Sequence, residues 1–256
     1  MVRHVRPNFV IFETMLRQLQ AARSEGRKLF ALLIDPDKNN ESSLKHSAQL
    51  AEQSGVNFLL VGSSLLIEKG IERCLDHLRS HCKLPIILFP GNTLQVTSNA
   101  DAILFLSLIS GRNPELLIGQ HVIAAPFIRK SGIEAIPTGY LLIDSGAPTS
   151  ASYMSQTLPI PHDKDDIAAA TSMAGELLGM KLIYLDAGSG ARIPVRSSMI
   201  QKVRSAIDLP IIVGGGIRTP EKVTELFHAG ADMVVVGNSI EQSPELLLDL
   251  AGAARN

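Results

Sequence analysis

The sequence predicts an α/β protein of one domain over residues 1–256, a single (β/α)8 TIM barrel with an extra N-terminal helix and one outer helix missing or degenerate. Three observations carry that expectation. The 256 residues of the chain match the usual length of one such barrel. Its β-like runs are near-continuously apolar rather than alternating, the mark of a parallel sheet buried on both faces. Its last third holds three glycine-rich strand ends, Tyr184–Gly190, Gly214–Gly216 and Gly237–Asn238, where such barrels commonly cradle phosphate.

The elements follow in order. Asn8–Ser24 reads as a helix ahead of the first strand, with Phe12, Met15, Leu16 and Leu19 on a stripe that covers the closed end of the barrel or an interface. Leu29–Ile34 is the first strand, and Glu41–Gln53 the helix after it, with Leu44, Ala48 and Ala51 at helical spacing. Phe58–Val61 is the second strand, followed by a helix over Leu65–Leu78. Pro85–Phe89 and Ala102–Leu108 are the third and fourth strands. Pro90–Asp101 between them, with Gly91, Asn92, Thr93 and Asn99, is too short and polar for a full crossover helix, so a gap in the outer ring is expected there. His121–Phe127 reads as mid-barrel strand and offers no carboxylate. Pro126–Ile136 and Gly139–Asp144 supply apolar residues beside the gap, as groove lining or as ordinary strand.

The second half repeats the theme. Lys164–Leu178 is helical, with Ile167, Thr171, Ala174 and Leu178 on one face, and leads into Leu182–Leu185. Ser197–Ile207 returns to Pro210–Val213, Pro220–His228 returns to Met233–Val236, and Pro244–Ala253 closes the chain. Pro220 occupies a first helical position with Thr219 as N-cap, which puts the Gly214–Gly216 turn just ahead of a helix N-terminus.

Composition excludes several classes of partner. Hydrophobic residues make up 45% of the chain, enough for a large core, whereas the lack of Trp and an aromatic share of 4% argue against a stacking surface for single-stranded nucleic acid. Twenty-four basic residues balance 25 acidic ones, so there is no electrostatic footprint for nucleic acid or an anionic membrane, and any anion must be bound locally. Arg3, His4, Arg6, Pro7 and Asn8 contain no apolar signal-peptide region. Apolar runs such as Ala102–Leu106 are too short to span a bilayer, so a soluble protein is expected. Cys74 and Cys82 lack zinc-site spacing and read as buried or half-buried thiols, in keeping with a reducing cytoplasm.

The candidate chemistry lies at strand ends. Asp35 and Asp37 follow the first strand in Ile34-Asp35-Pro36-Asp37-Lys38; a carboxylate there can hold Mg2+ beside substrate phosphates, or can simply make a turn. Ser63, after the second strand, offers a hydroxyl ligand or a phosphate contact. Glycine turns let backbone N–H groups approach an anion with no Cβ in the way. Asp186, just before Ala187-Gly188-Ser189-Gly190, is either a general base for a bound alcohol or a hydrogen-bond acceptor for nearby backbone N–H groups. Tyr184 alternates with Asp186 and so faces the same side, to bond a substrate oxygen or to fill the barrel. The histidines read as scattered, in surface or core roles.

The pattern resembles the geranylgeranylglyceryl phosphate synthases, through Leu33–Lys38, Gly62-Ser63-Ser64, Tyr153–Pro161, Tyr184–Gly190, Val213–Arg218 and Val236-Gly237-Asn238. The Tyr153–Pro161 and Tyr184–Gly190 segments are the most specific of these. What the resemblance implies is Mg2+-dependent transfer of a polyprenyl group from its diphosphate to the 3-hydroxyl of sn-glycerol 1-phosphate. By the same resemblance Asp35 and Ser63 bind Mg2+. Tyr184, Leu185, Asp186, Ala187, Gly188, Ser189, Gly190, Gly215, Gly216, Gly237 and Asn238 hold glycerol phosphate, Asp186 takes the proton with Tyr184 beside it, and the gap in the ring receives the prenyl tail. The family more often has Glu where this chain has Asp186, a side chain shorter by one methylene. The resemblance also implies a cytoplasmic homo-oligomer, dimer or hexamer, in transient contact with a membrane. The rivals are a sugar-phosphate isomerase or lyase on the same barrel and a noncatalytic phosphate-ligand binding protein.

Overall fold

The computed structural model describes residues 14–67, 70–237, 240 and 243–255. Eight parallel strands close in sequence order: β1 (Leu29–Ile34), β2 (Phe58–Val61), β3 (Ile86–Leu88), β4 (Ala102–Leu108), β5 (Glu134–Leu142), β6 (Leu182–Asp186), β7 (Ile211–Gly214) and β8 (Met233–Val236), which pairs back onto β1. Alternate residues of each strand serve two cores, which is why the runs read as continuously apolar. Ala31, Phe58, Leu60, Ile87, Leu104, Ile136, Leu182, Ile212 and Met233 pack inside the barrel. Phe30, Leu32, Leu59, Ile86, Ile183, Ile211 and Val234 pack outward against the helices.

The helices are α1 (Met15–Ser24), α2 (Glu41–Ser54), α3 (Ile71–His81), α4 (Gln120–Ser131), α5 (Ser150–Ser155), α6 (Asp165–Leu177), α7 (Ser197–Ala206), α8 (Pro220–His228) and α9 (Leu246–Gly252). The expected N-terminal helix is α1, and it closes one end of the barrel: Met15, Leu19 and Ala22 are buried with the inner core. Residues 8–13 of that expected helix, Phe12 included, lie outside the described residues. Thr14 caps α1, and the Met15 and Leu16 N–H groups donate to the Glu134 carboxylate at 2.6 and 3.1 Å, an anion at the positive end of a helix. Between β3 and β4 the chain makes one 3-10 turn, Thr93–Gln95, so the expected gap in the ring is there. Thr219 and Pro220 start α8 as the sequence indicates.

Three expectations need correction. The helix read over Leu65–Leu78 begins at Ile71, because the Asp37 carboxylate accepts the Ile67 N–H and the Leu65 carbonyl lies 2.9 Å from Ser63 Oγ, which ties that stretch to the strand ends instead. His121–Phe127 is not strand but part of α4, despite Pro126 within the helix; its buried positions are His121, Ala124 and Ile128. The face of α6 carrying Ile167, Ala174 and Leu178 points outward. Ala168, Ala169, Ser172 and Gly175 are buried instead. Small residues face inward because the helix crosses close over β5: a Cβ on either Gly139 or Gly175 would meet Ile109 and Ile183 at 2.7–3.1 Å.

Cys74 and Cys82 are buried free thiols, and burial followed by the Asp35 charge pushes Cys74 up to about 12. No helix of the described residues is long and apolar enough to cross a membrane.

Candidate functional site

The C-terminal strand ends open into a cleft of about 700 Å³ that brings together Asp35, Ser63, Tyr184, Asp186, Gly188, Ser189, Gly190, Gly215, Gly216 and Gly237. Residues some 200 positions apart meet because parallel strands all present their C-terminal ends to one side. Leu185 and Ala187 do not join them, since their side chains belong to the outer core. Asn238 lies outside the described residues.

At the β1 end, Asp35 does make the turn considered from the sequence: Oδ1 accepts the Asp37 N–H at 3.1 Å and starts the 3-10 turn Pro36–Lys38. Its second oxygen stays in the cleft, 3.1 Å from Ser63 Oγ and 3.6 Å from Lys38 Nζ. Ser63 is held by a residue that sequence reasoning missed. Fully buried Gln95, in the turn that replaces the missing helix, accepts the Ser63 N–H at 3.1 Å and donates to the Ser63 carbonyl at 2.7 Å. No signal in the sequence marked Gln95, because its burial and its reach to Ser63 both come from the closed barrel. Among the described residues no group of three or more His, Cys, Asp or Glu could enclose a metal. Asp35 and Ser63 instead offer a carboxylate and a hydroxyl on an open rim, a hard oxygen set that suits a cation sharing its shell with substrate and water.

At the β6 end, Asp186 is 7% exposed. Its Oδ1 accepts the Gly188 N–H at 2.8 Å, and its Oδ2 accepts the Tyr140 hydroxyl at 2.6 Å. Burial pushes the carboxyl above the ordinary carboxylate range, while those two hydrogen bonds pull the other way. Burial and the Asp186 charge push both Tyr140 and Tyr184 well above the ordinary phenol value, so both hydroxyls remain protonated. Tyr184 fills the barrel and lines the cleft at once. Its ring stacks on Phe89 at 5.1 Å and meets Tyr140 edge-on at 5.6 Å, and a Cβ on Gly214 would lie 2.5 Å from its oxygen. Sequence reasoning missed Tyr140 because nothing in a strand's own pattern says which other strand its hydroxyl will reach.

The glycine cradle forms where β6 and β7 end. Gly188, Gly190, Gly215 and Gly216 have φ of 90, 76, 88 and 72°, which favour glycine. A Cβ on Gly215 would stand 2.7 Å from the Gly188 nitrogen, so the two turns meet backbone to backbone. The Ala187 N–H donates to the Gly214 carbonyl at 3.0 Å, and Arg218 braces the outer turn by donating to the Ala191 carbonyl at 2.9 Å.

From the cradle the cleft runs on past Phe105 and Leu106 to Val96, Ala124 and Ile128, which border the gap in the helix ring. His121 is turned into this branch, its Nε2 3.1 Å from Ser107 Oγ and its ring edge-on to Phe105 at 4.5 Å. Burial pushes it below its ordinary value, so the branch carries no charge there at neutral pH.

The sequence profile of the PcrB family matches residues 22–254. This chain belongs to the PcrB family. Among its relatives, the geranylgeranylglyceryl phosphate synthase of Spirosoma linguale is 53% identical over 242 residues, covering 94% of this chain and 96% of that one. The synthase of the same name from Chitinophaga pinensis is 53% identical over 231 residues, 90% and 92% of the two chains. The crystal structure of (S)-3-O-geranylgeranylglyceryl phosphate synthase from Thermoplasma acidophilum, in complex with sn-glycerol-1-phosphate, superposes with a TM-score of 0.90 at 32% identity, covering 94% and 98%. The PcrB-family chain thus spans nearly the full length of its relatives.

Proposed function

We propose that this PcrB-family chain is a Mg2+-dependent prenyltransferase that moves a geranylgeranyl group from its diphosphate to the 3-hydroxyl of sn-glycerol 1-phosphate, using a single barrel domain. The observation that carries the reading is the joining, in one cleft, of an anion cradle, a buried carboxylate and an apolar branch that leaves through the gap in the ring. Relatives 53% identical bear the name of that activity, and the one solved with sn-glycerol-1-phosphate shares the fold over 94% of this chain.

In this reading Tyr184, Gly188, Ser189, Gly190, Gly215, Gly216, Gly237 and Asn238 hold the glycerol phosphate, and backbone N–H groups meet its charge. Tyr184 and the neighbouring rings hold the glycerol chain beside Asp186. As the glycerol oxygen forms its bond to the allylic carbon, the bond from that carbon to the diphosphate breaks, and Asp186 accepts the hydroxyl proton. Asp35 and Ser63 hold Mg2+, which neutralises the departing diphosphate when bound. Val96, Phe105, Ala124 and Ile128 take the tail out of water. A cytoplasmic location and transient membrane contact go with substrates of this kind. The outward apolar face of α6, with Ile167, Leu177 and Leu178 exposed, supports a homo-oligomer, dimer or hexamer.

The test is incubation of the purified protein with Mg2+, geranylgeranyl diphosphate and radiolabelled sn-glycerol 1-phosphate, with the sn-3 isomer in parallel. Label passing into organic solvent from the sn-1 isomer alone is expected. No transfer with this or other prenyl diphosphates returns the choice to an isomerase or lyase, or to a binding protein. Asp35→Asn is expected to abolish turnover while calorimetry still detects glycerol phosphate binding; full activity removes the metal assignment.

A further inference from the structure

We infer that Tyr140 is the positioning residue for Asp186, its hydroxyl fixing which carboxylate lone pairs face the cleft and favouring the ionised form. The inference rests on reading Asp186 as the base. Asp186 lies deep in the barrel mouth, where an ionised carboxylate is stable only if hydrogen bonds replace lost water. One replacement is the Gly188 backbone N–H; the other is the Tyr140 hydroxyl at 2.6 Å, a short bond of the kind made to a charged acceptor. Together they engage both oxygens and leave the remaining lone pairs toward the cleft.

The hydroxyl is itself fixed. Tyr140 pairs with Tyr184 across the β5–β6 ladder, and its ring meets Phe89 and Tyr184 edge-on at 5.8 and 5.6 Å. The titratable groups facing Asp186 are Tyr140 from β5 and Tyr184 from its own strand; β7 brings the Gly214 backbone beside it. The Asp186 charge pushes both phenols up, and Tyr140 also donates a hydrogen bond to the carboxylate.

The experiment compares wild type, Tyr140→Phe, Asp186→Asn and the double variant. Carboxyl infrared bands, assigned to Asp186 by their loss in Asp186→Asn, are titrated. A hydrogen bond to a charged group is strong enough that its loss in Tyr140→Phe should move the Asp186 midpoint up by about one pH unit or more. The acid limb of kcat should move with it. KM for glycerol phosphate should stay within about twofold, and Tyr140→Phe should cost nothing further in the Asp186→Asn background. An unmoved midpoint, or losses that multiply in the double variant, overturns the inference. Should the wild type transfer no prenyl group, the functional reading fails alone, because the infrared midpoint still decides what Tyr140 does. Should Tyr140→Phe not fold, global fluorotyrosine, a stronger donor, tests the same bond. Tyr140, Tyr153 and Tyr184 are the three tyrosines of the chain, and the Asp186 midpoint should then fall; no change counts against the role.

Discussion

Asp186 combines two demands that oppose each other: burial disfavours its charge, and proton abstraction needs that charge. The raised proton affinity produced by burial makes it a better base once ionised, and the Tyr140 and Gly188 bonds keep it from rising further. Because the carboxyl sits above the ordinary range, the base form is lost as pH falls at a higher pH than for an exposed Asp. The acid limb of kcat should therefore lie above the ordinary value of about 3.9. Asp186→Asn keeps the shape and removes the base, and should lower kcat by roughly 10² or more with glycerol phosphate affinity retained. A residual rate near wild type, with an unchanged pH profile, would sink the role. At this scale the sequence supplied candidates: Asp186, Tyr184, Asp35 and Ser63 all line the cleft. The partners Tyr140 and Gln95, at 46 and 32 residues' separation from the groups they hold, were not legible, because separation along the chain carries no information on distance across a barrel.

At the scale of elements, the ends of β2 and β3 interlock without side chains. A Cβ on Gly62 would lie 1.9 Å from the Phe89 carbonyl oxygen, and one on Gly91 would lie 2.2 Å from the Ser63 carbonyl oxygen. Backbone cannot yield as a flexible side chain does. Gly62→Ala should therefore destabilise the fold by about 1–3 kcal/mol, as seen in the urea midpoint, and weaken transfer by shifting Ser63 away from Asp35. An unaltered midpoint would mean that the two turns separate more easily than their contact implies. The same principle decided α6. Its apolar stripe was read correctly as a stripe, but close packing over Gly139 selected the opposite face of Ala168, Ala169, Ser172 and Gly175. Periodicity shows that a helix has faces; the distance to its neighbour decides which one goes inside.

Over the whole molecule, the barrel has a stability end and a chemistry end. Glu134 at the start of β5 ties down the N-terminus of α1 on the face opposite the cleft, joining residues 119 positions apart. Glu134→Ala should cost about 1 kcal/mol and expose α1 to proteolysis, leaving kcat unchanged. Equal protease resistance would show that Met15 and Leu19 hold the helix alone. The sequence by itself determined the parallel barrel, the gap after β3 and the glycine turns, because these follow from apolar runs, segment length and residues with no Cβ. Tertiary structure alone decided that His121 belongs to a helix, that α6 turns its large residues outward, and that Tyr140 meets Asp186. Each of those depends on which surfaces come together when eight strands close, a constraint present in no single segment.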